Sequence, residues 1–359
     1  MSLTDASRGV STRRPRDSAS TARPWSCAVV GLAVVALACG PSESSTHRAP
    51  KRHYVRVQWD TVWERRPGAS DTLIQYPTRI SGDGRFVFVV DAGARRLVAL
   101  RGDDGSLVWS RQTADDGLPL FDEVAAMAID VSGNVLLADS HQEFLVVVDA
   151  SGAHARRVSL RGIPFIMSMC PLRDETVLIQ ALHSPPLMRM RLGDSQAVAL
   201  PFPWKDASEL APLAFQGLLS PSTGRAQCVL ALGLGRGFAT VGVESAGRPK
   251  PYIEALELPE VVTSSSWNKN QRTDVASLAH RQIAALGVSV VSGEITIPFV
   301  GATRAIGQII DIYAEDTGDY LRSLLFPRSV TDLVRVRSIY YGIDAPNGVV
   351  LAATPRAIN

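Results

Sequence analysis

The chain has 359 residues, 46% of them hydrophobic and 20% charged, with a formal net charge of +2. That balance belongs to a foldable globular chain and excludes a disordered or fibrous one. It gives no support to a nucleic-acid binder with a basic face, because the first 38 residues hold five arginines against two aspartates and the remaining 321 carry a net charge of about −1.

The leader comes first. Arg8, Arg13, Arg14, Arg16 and Arg23 precede an apolar block, Ser26 to Ala38, that ends at Cys39. A block of 13 residues suits the h-region of an export signal and falls short of the ~20 apolar residues that span a bilayer. Thr12-Arg13-Arg14 is followed by Pro15, Arg16 and Asp17, so the arginine pair reads as generic positive charge rather than a twin-arginine signal.

Ala36-Leu37-Ala38-Cys39 resembles the lipobox of bacterial lipoproteins, departing at Ala36, where that family favours Leu. The resemblance implies cleavage between Ala38 and Cys39 and lipidation of Cys39. It also implies an outer-membrane address in a diderm cell, because Gly40 stands where an inner-membrane retention signal has Asp. Several acyl chains on one cysteine hold a protein firmly, whereas one holds it marginally. The expected organisation is a signal peptide over 1–38, a lipidated tether over 39–52 rich in Ser, Pro and Thr, and a folded domain over 53–359.

From Tyr54 onward, short apolar runs alternate with Gly, Asp, Ser and Pro, which predicts many short strands joined by tight turns. Two segments align. Ile80-Ser-Gly-Asp-Gly84 leads through Asp91 to Gly105, and Ile129-Asp-Val-Ser-Gly133 leads through Asp139 to Gly152, with a spacing of 47 to 49 residues. A repeat of that length, built of four strands, predicts a propeller blade. Gly84 and Gly133 suit hairpin turns that need positive φ, and Asp91 and Asp139 are expected to cap the following backbone.

Further blades are expected at Thr176–Ile179 with Pro186–Leu192, at Gln227–Leu232 with Phe238–Val243, and at Val288–Leu321. Ser338–Asp344 and Val349–Ala352 open the last blade, which the N-terminal Tyr54–Trp59 completes. The fold predicted is therefore an all-β, six-bladed β-propeller; the domain's length also accommodates seven blades. Glu257–Thr263 reads as a connector and Ser264–Ile283 as a polar, partly helical insertion.

The first two repeats resemble NHL-type blades, and the chain as a whole resembles the six-bladed propeller lipoproteins of bacteria. Ala99–Trp109 also resembles the A-x-D-x-x-T-G-x-x-x-W motif of quinoprotein and outer-membrane-assembly propellers, departing at Arg101 and Asp104. A single such repeat does not carry a quinone over, and no cofactor is expected.

Chemistry is sparse. Asp139-Ser140-His141 places triad residue types side by side, but a triad converges from separated segments, so these read as turn residues. His141, His154, His183 and His280 stand singly, without metal-ligand spacing. Ala231–Gly237 lacks the lysine and spacing of a phosphate loop. Trp204, Trp267, Tyr340 and Tyr341 read as surface or packing aromatics.

Cys170 and Cys228 stay open between a disulfide and two buried thiols. Six-bladed lactonases and lyases place carboxylates, Asn or His around the central channel, where Asp91, Asp139, Asp311 and Asp344 are the candidates here. The reading is a lipid-anchored binding or interaction scaffold of the cell envelope, held to the membrane by its lipid, with a protein or small molecule as its partner. The alternative is a propeller hydrolase or lyase.

Overall fold

The computed structural model describes residues 52–67, 73–139, 144–160, 163, 165–181, 186–194, 196–203, 217–233, 237–253, 285–300 and 306–358. The chain divides into two units, Met1–Arg48 and Ala49–Asn359, and the described residues all belong to the second. The leader, Ala38, Cys39, the connector at 257–263 and the insertion at 264–283 lie outside them.

Six four-stranded antiparallel sheets make the fold, one per blade. Blade A holds β2 Pro77–Gly82, β3 Phe86–Asp91, β4 Arg96–Arg101 and β5 Leu107–Arg111. Blade B holds β6 Val124–Ile129, β7 Val135–Asp139, β8 Phe144–Val148 and β9 Ala155–Ser159. Blade C holds β10 Ile166–Pro171, β11 Thr176–Ala181, β12 Leu187–Arg191 and β13 Val198–Ala199. Blade D holds β14 Gly217–Pro221, β15 Cys228–Leu232, β16 Gly237–Val241 and β17 Lys250–Pro251. Blade E holds β18 Ser289–Val291, β19 Glu294–Val300, β20 Ile306–Ala314 and β21 Tyr320–Leu325.

Blade F closes the ring. Its β22 Asp332–Val336, β23 Ile339–Asp344 and β24 Val349–Ala357 are completed by the N-terminal β1, Val57–Arg65, which pairs with β24 from Val57 opposite Ala357 to Arg65 opposite Val350. The predicted closure is therefore present, and its strand extends past Trp59 to Arg65. Closing a ring in this way removes the exposed sheet edges that invite aggregation.

Alternation along the strands builds the core between blades rather than within them. Buried apolar side chains of the described residues sort into six clusters, one at each junction of neighbouring blades. At the junction of C and D, Cys170 of β10 and Cys228 of β15 are fully buried and joined as a disulfide, with Cα atoms 6.3 Å apart.

A side-chain device fastens blades F to A and A to B. Trp63 of β1 lies against Gly105 and donates its indole N–H to Gly102 O, while Arg65 donates to Gly105 O. One blade on, Trp109 lies against Gly152 and donates to Ala150 O, while Arg111 donates to Gly152 O. Gly105 and Gly152 have φ of +66° and +73°, and a Cβ on either would come within 2.7 Å and 2.5 Å of the indole ring. Both turns need glycine for conformation and for space. The tryptophan of the Ala99–Trp109 motif is thus a blade-to-blade clasp.

The ring is also held at its N-terminal seam. Val55 N–H donates to Ser323 O and Ser323 N–H to His53 O, which lays the segment before β1 along β21 of blade E. Arg52 Nε and Nη2 hold Asp311 on β20, with N–O distances of 3.0 to 3.1 Å. Asp311 also accepts from Ser323 Oγ at 2.6 Å. Arg52 is the last residue of the predicted tether by sequence; its side chain is only 4% exposed here, and that of Asp311 is 0%.

Candidate functional site: the central channel

The inner strands β2, β6, β10, β14, β18 and β22 each touch the next around the ring, and β22 touches β2. The inner strands of neighbouring blades share no ladder, so their open backbone groups need other partners. Side chains supply them. Asp332 Oδ2 accepts Ile80 N–H at 3.0 Å between blades F and A. Arg79 Nε and Nη2 donate to Ala125 O at 3.3 Å between A and B. Ser168 Oγ accepts Leu219 N–H between C and D, and Ser289 Oγ accepts Arg335 N–H between E and F.

Inside these strands lies a channel of about 470 Å³, within the ~300–1,000 Å³ range of sites that enclose small molecules. Its lining includes Met127, Met167, Leu218, Val288, Val290 and Val334, all half-buried. They occupy positions between the fully buried residues that face the blade junctions, as the two-residue strand period requires. Apolar side chains therefore make up much of the wall, with Ser81, Ser168, Ser220 and Ser289 of the inner strands among them.

Its charged lining is Arg79, Asp83, Arg225, Asp332 and Arg335, the last paired with Glu294. Arg79 and Asp332 belong to the end where the inner strands begin, and Arg225, in the β14–β15 turn, belongs to the other with Asp83. Among the described residues, neither Arg79 nor Arg225 has a carboxylate within ion-pair distance. Arg225 crosses from blade D to blade B, where Nη1 donates to Ile129 O at 2.9 Å. Burial lowers its guanidinium from the ordinary value, against the more distant pull of Asp130 and Asp83.

Asp332 is shifted the other way. Burial pushes its carboxyl up to about 6, with Arg79 and the backbone N–H groups of Ile80 and Leu333 pulling it down. A carboxyl whose pKa rises on folding contributes stability below its unfolded value, and that contribution is lost as the pH climbs through about 6. The shift from 3.8 to about 6 corresponds to up to about 3 kcal/mol. Asp332→Asn keeps an oxygen for Ile80 N–H and removes the charge. The variant is expected to be more stable than the wild type at pH 8 and no more stable at pH 4.5, by urea midpoints at each pH. Equal differences at both pH values would contradict the assignment.

The carboxylates proposed from sequence as channel groups lie elsewhere. Asp91, Asp139, Asp311 and Asp344 are buried at 0%, 6%, 0% and 7% exposure, and none lines the channel. Asp91 accepts from Tyr76 N–H and Arg96 Nε. Asp139 accepts from Asp122 N–H. Both aspartates thus hold the segment before their blade's first strand; the residues that follow Asp139, 140–143, lie outside the described residues. Asp344 accepts from Asn347 Nδ2.

His154 is exposed beside Asp115, while Ser140, His141, His183, His280, Trp204 and Trp267 lie outside the described residues. Tyr340 packs edge-on to Trp59, and Tyr341 OH donates to Gly102 O, so both serve blade junctions. Of the glycine-rich run, Ala231 and Leu232 end β15 and Gly237 starts β16, as a strand connection should. No cluster of three His, Cys, Asp or Glu side chains suited to a metal occurs among the described residues.

The channel residues escaped the sequence reading because nothing local marks them. Arg79, Arg225 and Asp332 sit in unlike contexts, and only the angular position of each strand around the ring brings them to one cavity.

Fold and site together define a six-bladed β-propeller with a channel lined by apolar and charged residues. A scan against protein families finds no match, and no curated protein matches in sequence. Solved structures do match in shape. A protein from Bacteroides fragilis, whose name marks it as a candidate for export, superposes with a TM-score of 0.54 at 10% identity over 85% of this chain and 96% of that one. A protein of unknown function from Bacteroides thetaiotaomicron gives 0.53 at 10% identity, over 84% of this chain and 76% of that one. Virginiamycin B lyase from Staphylococcus aureus gives 0.51 at 8% identity, over 83% and 99%. At such identities the likeness is one of fold. Among the described residues no helix is long and apolar enough to cross a membrane.

Proposed function

We propose that this chain is an exported, lipid-anchored propeller of the NHL-like lipoprotein kind, acting as a binding scaffold that receives its ligand in the central channel. The observation that carries the reading is the channel wall: much of it is apolar side chain, and the four carboxylates expected there from sequence serve the blades instead. An apolar cavity of this size suits holding a molecule. A buried disulfide supports an oxidising compartment.

The anchor and the channel have separate tests. Cys39→Ser is expected to abolish incorporation of radiolabelled fatty acid and to release the protein from membranes; unchanged labelling would refute lipidation. For the channel, crosslinking capture from native envelopes is run on the wild type and on Leu218→Trp, which fills the wall. A species captured by the wild type and lost in the variant supports the reading, and identical capture from both sinks it.

A second reading, a propeller hydrolase or lyase, is favoured by Asp332, a carboxyl with a raised pKa beside an arginine in a cavity. Turnover that disappears in Asp332→Asn while ligand binding survives would move the assignment to that class.

A further inference from the structure

Arg225 is placed in a way that its turn does not require. Its backbone φ is +52°, a left-handed conformation at which glycine is favoured and a long-chain cation gains nothing. The equivalent turns of blades A and B use Gly84 and Gly133, with φ of +94° and +82°, and those of blades C and F use Glu175 and Arg337. The side chain then leaves blade D, passes the end of blade C and reaches a carbonyl of blade B.

That reach uses little of the guanidinium. Among the described residues Nη1 alone is bonded, to Ile129 O, and Nε and Nη2 have no protein acceptor. A guanidinium carries five donors in a fixed planar fork suited to a carboxylate. The neighbouring carboxylates keep their charge and pull on Arg225 from a distance, but neither forms an ion pair with it. Asp83 Oδ1 takes Arg85 and Phe86 N–H, and Asp130 takes Ser132 and Asn134. Burial weighs against the charge more than that pull supports it. An anion arriving at this end of the channel would find a partly desolvated fork with donors to spare.

Behind that fork the wall is Met127, Leu218, Val290 and Val334. Methionine adapts to irregular apolar shapes, and the branched residues give a firm surface. A guanidinium at this end with apolar wall beyond it is the complement of an amphiphile.

We propose that the channel binds an elongated apolar molecule ending in a single carboxylate, with the carboxylate on Arg225 and the hydrocarbon along the channel wall. The proposal rests on the binding-scaffold reading and names its ligand class.

The test is a fluorescence titration of the full-length protein with cis-parinaric acid and with its methyl ester, kept below micelle-forming concentrations. Saturable binding of the acid is expected, with the ester about 10- to 100-fold weaker, the worth of hydrogen bonds to a charged group. Arg225→Gln should bring the acid down to the affinity of the ester and leave the ester unchanged. Gln takes the same backbone conformation with no added cost, and a circular dichroism melt checks its fold. Leu218→Trp should abolish both.

Equal affinity for acid and ester, or an acid affinity unmoved by Arg225→Gln, overturns the proposal. So does a loss produced by Arg79→Gln instead, or binding that survives Leu218→Trp. If neither probe binds while envelope capture still depends on Leu218, the ligand class falls and the scaffold reading stands.

Discussion

Replacing Cys170 and Cys228 with alanine is expected to lower the stability of the propeller by about 4 kcal/mol, the loop-closure worth of a bridge whose ends lie 58 residues apart. The bridge joins the inner strand of blade C to the second strand of blade D, so it constrains the passage from one blade to the next. It also sits in an apolar cluster with Leu178, Leu219 and Leu230, where two alanines leave unfilled space. Urea unfolding of the oxidised wild type, the reduced wild type and the double variant separates the two contributions. Reduction alone should account for most of the loss. A reduced protein within about 1 kcal/mol of the oxidised one would mean that the unfolded chain is not appreciably constrained by the bridge.

Asp311→Ala should cost about 3–5 kcal/mol, because it leaves the Arg52 guanidinium buried without its counter-charge. Arg52 is nearly enclosed, and the ring of Phe299 lies 5.7 Å from its guanidinium carbon. The double variant Arg52→Met with Asp311→Leu should recover much of the loss, since an ion pair out of water is replaceable by apolar groups of similar size. The damage should be local as well as global. Hydrogen exchange at the amides of Val55 and Ser323, which tie the N-terminal segment to β21, should accelerate more than exchange in blade B. Uniform acceleration across all blades would show that the pair does not act at this seam.

The repeat was plain in blades A and B and faint afterwards, and the turns explain why. The hairpins between the first and second strands contain a left-handed residue in every blade. Blades A and B place Gly84 and Gly133 there, and blade E has Ser292 and Gly293. Blades C, D and F place Glu175, Arg225 and Arg337, at φ of +62°, +52° and +56°. The geometry repeats six times while the residue that advertises it is absent from three blades.

A second regularity was readable and passed over. Trp63-Glu64-Arg65 and Trp109-Ser110-Arg111 carry the same clasp in successive blades, yet Trp63 had no role in the sequence reading. Seen as a pair, they place β1 as the outer strand of a blade directly and fix its register. Asp311 was not separable from Asp91 by inspection, since both end or interrupt an apolar run. Only the return of residue 52 to blade E distinguishes a buried ion pair from a loop anchor.

The closure of blade F sets an order in time. β1 is made before every other strand, yet its partner β24 comes last: Trp63 faces Ala352, almost 290 residues later. At ~5–20 residues per second, roughly 15 to 60 s separate the two during synthesis. Through that interval Trp59 and Trp63 have no sheet to join, and blades A to E can form while the ring stays open. A premature partner for β1 would yield a chain with five sound blades and a frayed sixth. The strand that completes the molecule is thus the one that most needs protection while the rest is made.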